Sequence, residues 1–292
     1  MDSASRAKTL SSLAIYFIVV VGVGVLLAPW VAWTGEWLVQ HVSWLPWKPN
    51  TKFRRYFDRS IQIVAMIGLW PLLRALAVRS WQDAGWGKNR LFAHQLLLGV
   101  ALAATSSLAA GMLLLNEERP NPFGNWSPEK RLASGTIVAL LEETLFRGVL
   151  LGALLRVLSP AVAITSLSVF FSAVHFLKPE SKLLVKDIHA FSGFEMLPNC
   201  FASFQDPDFL PRFINLLIVG AILGWAFWKT RSLAMPIGLH AAWVAATCGR
   251  GGQTWIETPI LLVTFGFVIW TTKSSGTTDP AQPSASNHHE TH

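Results

Sequence analysis

Long apolar segments separated by short polar or basic stretches dominate the chain. Eight windows are apolar enough for buried or membrane-spanning helices: residues 13–33, 61–78, 93–115, 134–158, 161–176, 213–228, 232–247 and 259–272. A helix of about 20 apolar residues spans a bilayer. The pattern therefore predicts an all-α polytopic membrane protein of about eight transmembrane helices. The windows at 61–78, 161–176 and 232–247 are short or contain Pro71 and Arg74, so neighbouring helices must shield them from lipid.

Composition supports a membrane protein. Of 292 residues, 52% are hydrophobic and only 14% are charged, which is too apolar for an ordinary soluble domain of this length. The net charge of +7 is spread over the loops and forms no basic stripe, so no nucleic-acid partner is expected. Fourteen tryptophans, many near the ends of the windows, are typical of the aromatic belts at membrane surfaces. The lipid bilayer is the first predicted partner, and we expect an integral, multi-pass membrane protein.

The chain divides into four predicted units. Residues 1–130 form membrane helices and interfacial segments, 131–250 hold the candidate chemistry, 251–273 form a last membrane helix, and 274–292 lack the apolar residues for a core and are predicted to be disordered. Ser127-Pro128 predicts a helix start, with serine as N-cap and proline as first helical residue. The connection at 178–212 is long and proline-containing, which is typical of a functional or disordered loop. Two distant cysteines, Cys200 and Cys248, indicate neither a disulfide nor a thiolate metal site.

Three ionisable residues lie inside the window at 134–158: Glu142, Glu143 and Arg147. Each charged side chain at bilayer depth costs roughly 2.5–3.5 kcal/mol, so these residues must face protein or water. On a helix Glu143 and Arg147 share a face and can form an ion pair, while Glu142 points about 100° away. Glu142 is therefore available for chemistry. The alternative is a purely structural ion network that holds helices together.

Two histidines, His175 and His240, lie inside or at the edge of other apolar windows. One such histidine alone would more often be an interhelical hydrogen-bond partner. Together with a carboxylate, one neutral imidazole can hold and deprotonate a water, and a second can donate a hydrogen bond to the oxyanion formed on attack of an amide. The combination predicts peptide hydrolysis within the membrane. A zinc set of Glu142, His175 and His240 remains an alternative to a mechanism without a cofactor.

The motifs Glu142-Glu143-x-x-x-Arg147, Phe171-x-x-x-His175 and His240 occur in this order on three apolar segments. In this the chain resembles the CPBP family, the CAAX-protease and bacteriocin-processing group also called Abi, over about residues 134–247. The resemblance implies an eight-helix intramembrane protease with a conical cavity, whose best-known members remove the last three residues of prenylated CAAX proteins. By position it implies that Glu142 is the general base assisted by His175, that Glu143 and Arg147 orient it, and that His240 is the oxyanion donor.

One position departs from the family pattern. The family's third motif usually has an asparagine four residues after the histidine that corresponds to His240, and in this chain Val244 occupies that position. Valine cannot donate a hydrogen bond, so Thr247 and Asn215 are candidate replacements.

The predicted function is an intramembrane endopeptidase, a hydrolase that cleaves a membrane-embedded peptide or lipidated protein around a central polar cavity. The alternative is a catalytically weak membrane binding or bacteriocin-immunity protein that keeps the polar cluster for structure. A proton-relay transporter is disfavoured because no inverted repeat is evident. The sequence indicates no oligomeric state.

Overall fold

A computed structural model describes residues 3–42, 52–87, 90–114, 126–177, 179, 183–247 and 254–273. Within these ranges the protein is helical and contains no β-strand, apart from an isolated bridge between Lys52 and Leu184. The predicted all-α class is confirmed. The predicted tail at 274–292 and Cys248 lie outside the described residues.

The helices follow the predicted windows closely. In chain order they are α1 (Ser3–His41), α2 (Phe53–Ala75), α3 (Phe92–Leu113), α4 (Pro128–Glu143), α5 (Gly152–Leu154), α6 (Pro160–Phe176), α7 (Ser192–Met196), α8 (Phe209–Thr230), α9 (Ala234–Thr247) and α10 (Glu257–Lys273). A π-helical segment, Thr144–Leu151, joins α4 to α5 without a break. Every one of the eight apolar windows thus contains a helix.

Three of the described helices are long and apolar enough to cross a membrane by themselves: α1, α3 and α8. Helix α6 is apolar but shorter. The other windows lack such a helix. Helices α4, α9 and α10 are short, with 16, 14 and 17 residues, and α2 has 23 residues but carries five charged side chains. Length and composition therefore support three spans directly, fewer than the eight windows.

Helix α9 packs in backbone contact with α3 and α4. A Cβ atom on Gly99 of α3 would lie 2.5 Å from the carbonyl oxygen of Met235, and one on Gly238 of α9 would collide with the carbonyl oxygen of Leu96. A Cβ on Gly135 of α4 would lie 2.6 Å from the Ala241 oxygen. Such close approach is possible only because glycine has no side chain, as at small-residue interfaces of membrane helices. It holds the middle of α9 against both neighbours.

Helix α4 begins as the sequence predicts. Pro128 is its first residue, and the Ser127 hydroxyl accepts a hydrogen bond from the backbone N–H of Lys130 at 3.4 Å. This N-cap satisfies one of the free N–H groups at the helix start. The helix then changes to π geometry immediately after Glu143, and π-helical segments within α-helices occur frequently at functional sites.

The connection predicted at 178–212 is ordered wherever it is described. It forms α7 and two 3₁₀ segments, Val185–Asp187 and Pro198–Gln205. Gly193 lies directly against the carbonyl oxygen of Val25 on α1. Cys200 is 6% exposed in a small apolar cluster with α1 and α2, as expected for an ordinary buried residue, and burial raises the pKa of its thiol. Apolar side chains therefore anchor the described part of this connection against α1 and α2.

The turn between α2 and α3 is held by one carboxylate. Asp83 accepts hydrogen bonds from the backbone N–H groups of Arg79 and Ser80, both at 2.9 Å. The N–H of Arg79 first, and then the hydroxyl and N–H of Ser80, hold the pKa of Asp83 below its ordinary value.

Candidate active site

Glu143 is the centre of a buried ionic cluster. Its side chain is fully buried, and its Oε1 accepts a hydrogen bond from Arg147 Nη1 at 2.9 Å and from His240 Nδ1 at 2.6 Å. The predicted ion pair of Glu143 and Arg147 is confirmed. The contact with His240 joins α4 to α9, two helices that are distant in the chain: the two residues are 97 positions apart.

Arg147 connects this cluster to two further helices. Its side chain is 1% exposed, its Nη2 donates to the carbonyl oxygen of Gly220 on α8 at 3.5 Å, and its guanidinium lies 4.5 Å from the ring centroid of Phe171 on α6. A buried charge requires a partner and further hydrogen bonds. Arg147 therefore fixes Glu143 in position and gives it its counter-charge.

Glu142 faces the two imidazoles. Its Oε2 lies 4.0 Å from His175 Nε2 and 3.9 Å from His240 Nε2. This oxygen is buried and has no hydrogen-bond partner among the residues that the structure describes. A buried carboxylate oxygen without a hydrogen-bond partner is unfavourable. Such an oxygen is typical of a functional site or of a position that binds water.

Hydrogen bonds at Nδ1 determine what each imidazole presents to Glu142. His175 Nδ1 donates to the Phe171 carbonyl oxygen at 2.7 Å, and His240 Nδ1 donates to the carboxylate of Glu143. Since a carbonyl or a carboxylate only accepts, both Nδ1 atoms carry a proton. A neutral ring then presents the lone pair of Nε2 to Glu142.

The separations of 3.9–4.0 Å are too long for direct hydrogen bonds. They suit a bridging water, because two hydrogen bonds of about 2.8 Å that meet near a right angle span about 4 Å. All five predicted site residues are thus brought into one cluster, with Glu142, His175 and His240 around a single point.

The same three atoms are the zinc ligand set of the alternative mechanism. Tetrahedral zinc with bonds of about 2.0–2.1 Å places neighbouring ligand atoms about 3.4 Å apart. Both separations from Glu142 are wider than this. Among the described residues, no group of three or more His, Cys, Asp or Glu side chains is arranged to hold a metal ion. The present arrangement therefore fits a bridging water better than zinc.

A cavity of about 210 Å³ opens beside the imidazoles. Helices α3, α6, α8, α9 and α10 line it with Ser106, Ser107, Ala110, Phe171, His175, Leu216, Val219, His240, Trp243, Val244, Thr247, Glu257, Ile260 and Leu261. The walls are mainly apolar, and the polar groups are few. The cavity can therefore accept an apolar peptide segment next to the ionisable cluster.

The two candidate replacements for the missing asparagine have other partners. The hydroxyl of Thr247 lines the cavity but donates to the Trp243 carbonyl oxygen at 2.7 Å. Asn215 is not among the lining residues: its amide donates to the Thr254 oxygen at 2.9 Å and its Oδ1 accepts from Thr258 at 2.7 Å. Asn215 therefore fastens α8 to the start of α10.

Ser107 is one of the lining residues that sequence reasoning missed. It lies in the apolar window of α3, where small hydroxyl residues are common at helix contacts and carry no signal of chemistry.

The fold and the site together define a helical protein with apolar, membrane-compatible helices and a buried carboxylate–imidazole cluster beside a cavity. The family model "Type II CAAX prenyl endopeptidase Rce1-like" matches residues 126–246, which contain all five cluster residues. Over these residues the chain is similar to the Rce1-like type II CAAX prenyl endopeptidases, a membrane-embedded protease family, which supports the resemblance expected from the motifs. No curated protein and no solved structure matches the chain.

Proposed function

We propose that this protein is a glutamic-type intramembrane endopeptidase that hydrolyses a peptide bond in a membrane-embedded or lipid-anchored peptide. The observation that carries the proposal is the buried Glu142 Oε2, which faces the Nε2 atoms of His175 and His240 at water-bridging distance. A general base must reach the proton of its water directly, and this geometry permits that.

In the proposed reaction a water molecule binds between Glu142 and His175. Glu142 accepts a proton from the water while the water oxygen forms a bond to the carbonyl carbon, and the carbonyl electron pair moves to the oxygen. The tetrahedral intermediate then collapses: the C–N bond breaks and the proton held by Glu142 passes to the leaving nitrogen. The products are an N-terminal fragment that ends in a new carboxyl group and a C-terminal fragment that begins with a free amine.

Glu143 and Arg147 act as positioning residues in this mechanism. Their ion pair holds Nδ1 of His240 through a short hydrogen bond and so fixes the orientation of the ring. Because Nδ1 already donates to Glu143, His240 donates to an oxyanion through Nε2 only as an imidazolium ion. Its proposed role as oxyanion donor therefore depends on that protonated form.

The proposed architecture is a bundle of about eight membrane helices around a central cavity that lies beside the polar cluster, in a bacterial plasma membrane. Support comes from α9, in which every residue from Ala234 to His240 is buried. A short helix of this kind is tolerated at membrane depth when its neighbours shield it from lipid.

Zinc remains the second candidate mechanism for the same hydrolysis. It is favoured by one observation: both imidazoles use Nδ1 to donate to an acceptor and leave Nε2 towards Glu142, as metal-bound histidines do. A bound zinc would polarise the carbonyl and activate water. Incubation of the active protein with a strong chelator separates the mechanisms, because only a zinc enzyme loses activity and regains it with added Zn²⁺.

The test of the function uses protein purified into lipid nanodiscs. We expect it to cleave a farnesylated CAAX peptide or members of a panel of hydrophobic peptides. Glu142→Gln removes the base and should lower kcat by about 10²- to 10⁴-fold. The matched control is Glu129→Gln, which alters an exposed carboxylate on the same helix and should leave kcat unchanged. Full activity in Glu142→Gln, at an unchanged unfolding midpoint, would contradict the proposed mechanism.

A further inference from the structure

Ser107 has an unusual environment for a serine on an apolar helix. Its side chain lies on α3, the residue is 8% exposed, and its Oγ has no hydrogen-bond partner among the described residues. A buried hydroxyl without a hydrogen-bond partner is unfavourable, so it calls for an explanation. The hydroxyl lines the cavity that His175 and His240 also line.

The hydroxyls beside it behave differently. Thr105 donates to the Ala101 carbonyl oxygen at 2.8 Å, and Ser106 donates to the Ala103 oxygen at 2.9 Å. Such bonds to the preceding turn are the usual way in which a helix satisfies serine and threonine. Ser107 makes no such bond, so its proton is free for a group inside the cavity.

Other donors of the cavity wall are already engaged. Trp243 Nε1 donates to the Ser106 hydroxyl at 2.8 Å, the Thr247 hydroxyl donates to the Trp243 oxygen, and Val244 offers no donor. His240 can donate from Nε2 only as an imidazolium ion. Among these groups, Ser107 has the donor that is not engaged.

We infer that the Ser107 hydroxyl donates a hydrogen bond to the carbonyl oxygen of the scissile bond and to the oxyanion that forms from it. The inference rests on the proposed endopeptidase function. As the water oxygen bonds to the carbonyl carbon, negative charge moves onto the carbonyl oxygen, and a donor placed there stabilises the transition state. Ser107 keeps its own proton throughout, since Glu142 carries the proton of the water to the leaving amine.

This role explains how the chain functions with Val244 where the family places asparagine. The donor moves from α9 to α3, the helix in backbone contact with α9 at Gly99 and Gly238. Both helices contribute to the wall of the same cavity, so either can supply the donor.

The test compares variants of the whole protein in lipid nanodiscs, with a peptide that the wild type cleaves. Ser107→Ala should lower kcat by about 10- to 10³-fold with little change in KM, because the lost bond strengthens in the transition state. Ser107→Thr keeps the hydroxyl and should recover most of the lost rate. Thr105→Ala is the matched control, since that exposed hydroxyl bonds only to its own helix.

The outcomes separate the two levels of the proposal. If Ser107→Ala keeps the wild-type kcat while Glu142→Gln is inactive, the role of Ser107 is wrong and the glutamic mechanism stands. A rise in KM with unchanged kcat would equally overturn it, as would a loss that Ser107→Thr does not restore. If the wild type cleaves no peptide, or Glu142→Gln is fully active, the proposed function itself fails, and the role of Ser107 with it.

Discussion

Replacing Glu143 by glutamine should destabilise the protein strongly. The Glu143 side chain is fully buried, and its Oε1 receives hydrogen bonds from Arg147 at 2.9 Å and His240 at 2.6 Å. Removal of one partner from a buried ion pair leaves an uncompensated charge and costs about 3–5 kcal/mol. Glu143 Oε2 has no hydrogen-bond partner among the described residues, so an amide NH₂ in its place would lack an acceptor. A buried donor without an acceptor raises the loss of stability by about 1–3 kcal/mol.

The assay is unfolding by SDS in mixed micelles, followed by tryptophan fluorescence. We expect Glu143→Gln to lower the free energy of unfolding by at least about 3 kcal/mol. The control is Asp58→Asn, because Asp58 lies 4.0 Å from Arg54 with both side chains about 40% exposed. An exposed pair contributes about 0–1 kcal/mol, so this variant should change little.

A double variant tests whether the pair itself is responsible. In Glu143→Gln with Arg147→Gln the orphaned charge is gone, so the double variant should lose less than the sum of the two single losses, with a coupling of about 1–3 kcal/mol. Additive losses would refute the coupling. A loss below about 1 kcal/mol in Glu143→Gln would refute the assignment of a buried ion pair, since it would match an exposed pair.

Three further predictions concern packing, pH and thiol reactivity. Gly238→Leu should separate α9 from α3 and displace His240, and so lower both the unfolding midpoint and kcat. The control is Gly22→Ala, which has open space around it and should keep both values. Wild-type values in Gly238→Leu would contradict the close contact between the helices. The pKa of Asp83 is held below its usual value of about 3.8. Its contribution to stability is therefore present above that value and is lost as the pH falls through the lower folded-state pKa; Asp83→Asn should abolish this part of the acid dependence in midpoints measured from neutral to acid pH. Because Cys200 is buried with a raised pKa, maleimide should label it far more slowly in folded than in SDS-unfolded protein, as quantified by peptide mass spectrometry, and equal rates would contradict its burial.

Local features were readable from the sequence. Helices in all eight windows, the Ser127 N-cap and the ion pair of Glu143 with Arg147 follow from periodicity and from spacing on one helix. The family likewise followed from short motifs in a fixed order, which the match over residues 126–246 confirms.

The spatial relations among the motifs required the tertiary structure. No spacing in the chain reveals that Glu143 binds Nδ1 of His240 while Glu142 faces its Nε2, since the contacts join helices about 97 residues apart. Ser107 also carries no motif, and only the packing of α3 against α9 places it in the cavity.

The sequence by itself determined that this protein is helical, that it suits a membrane, and which charged side chains lie within an apolar segment. These properties depend on side-chain polarity and helical period over a few turns, where the interacting residues are close in the chain. The tertiary structure alone decided which imidazole atom faces which carboxylate and which hydroxyl remains without a partner. Those properties depend on how closely two helix backbones approach, and here the glycine contacts of Gly99, Gly135 and Gly238 set that approach.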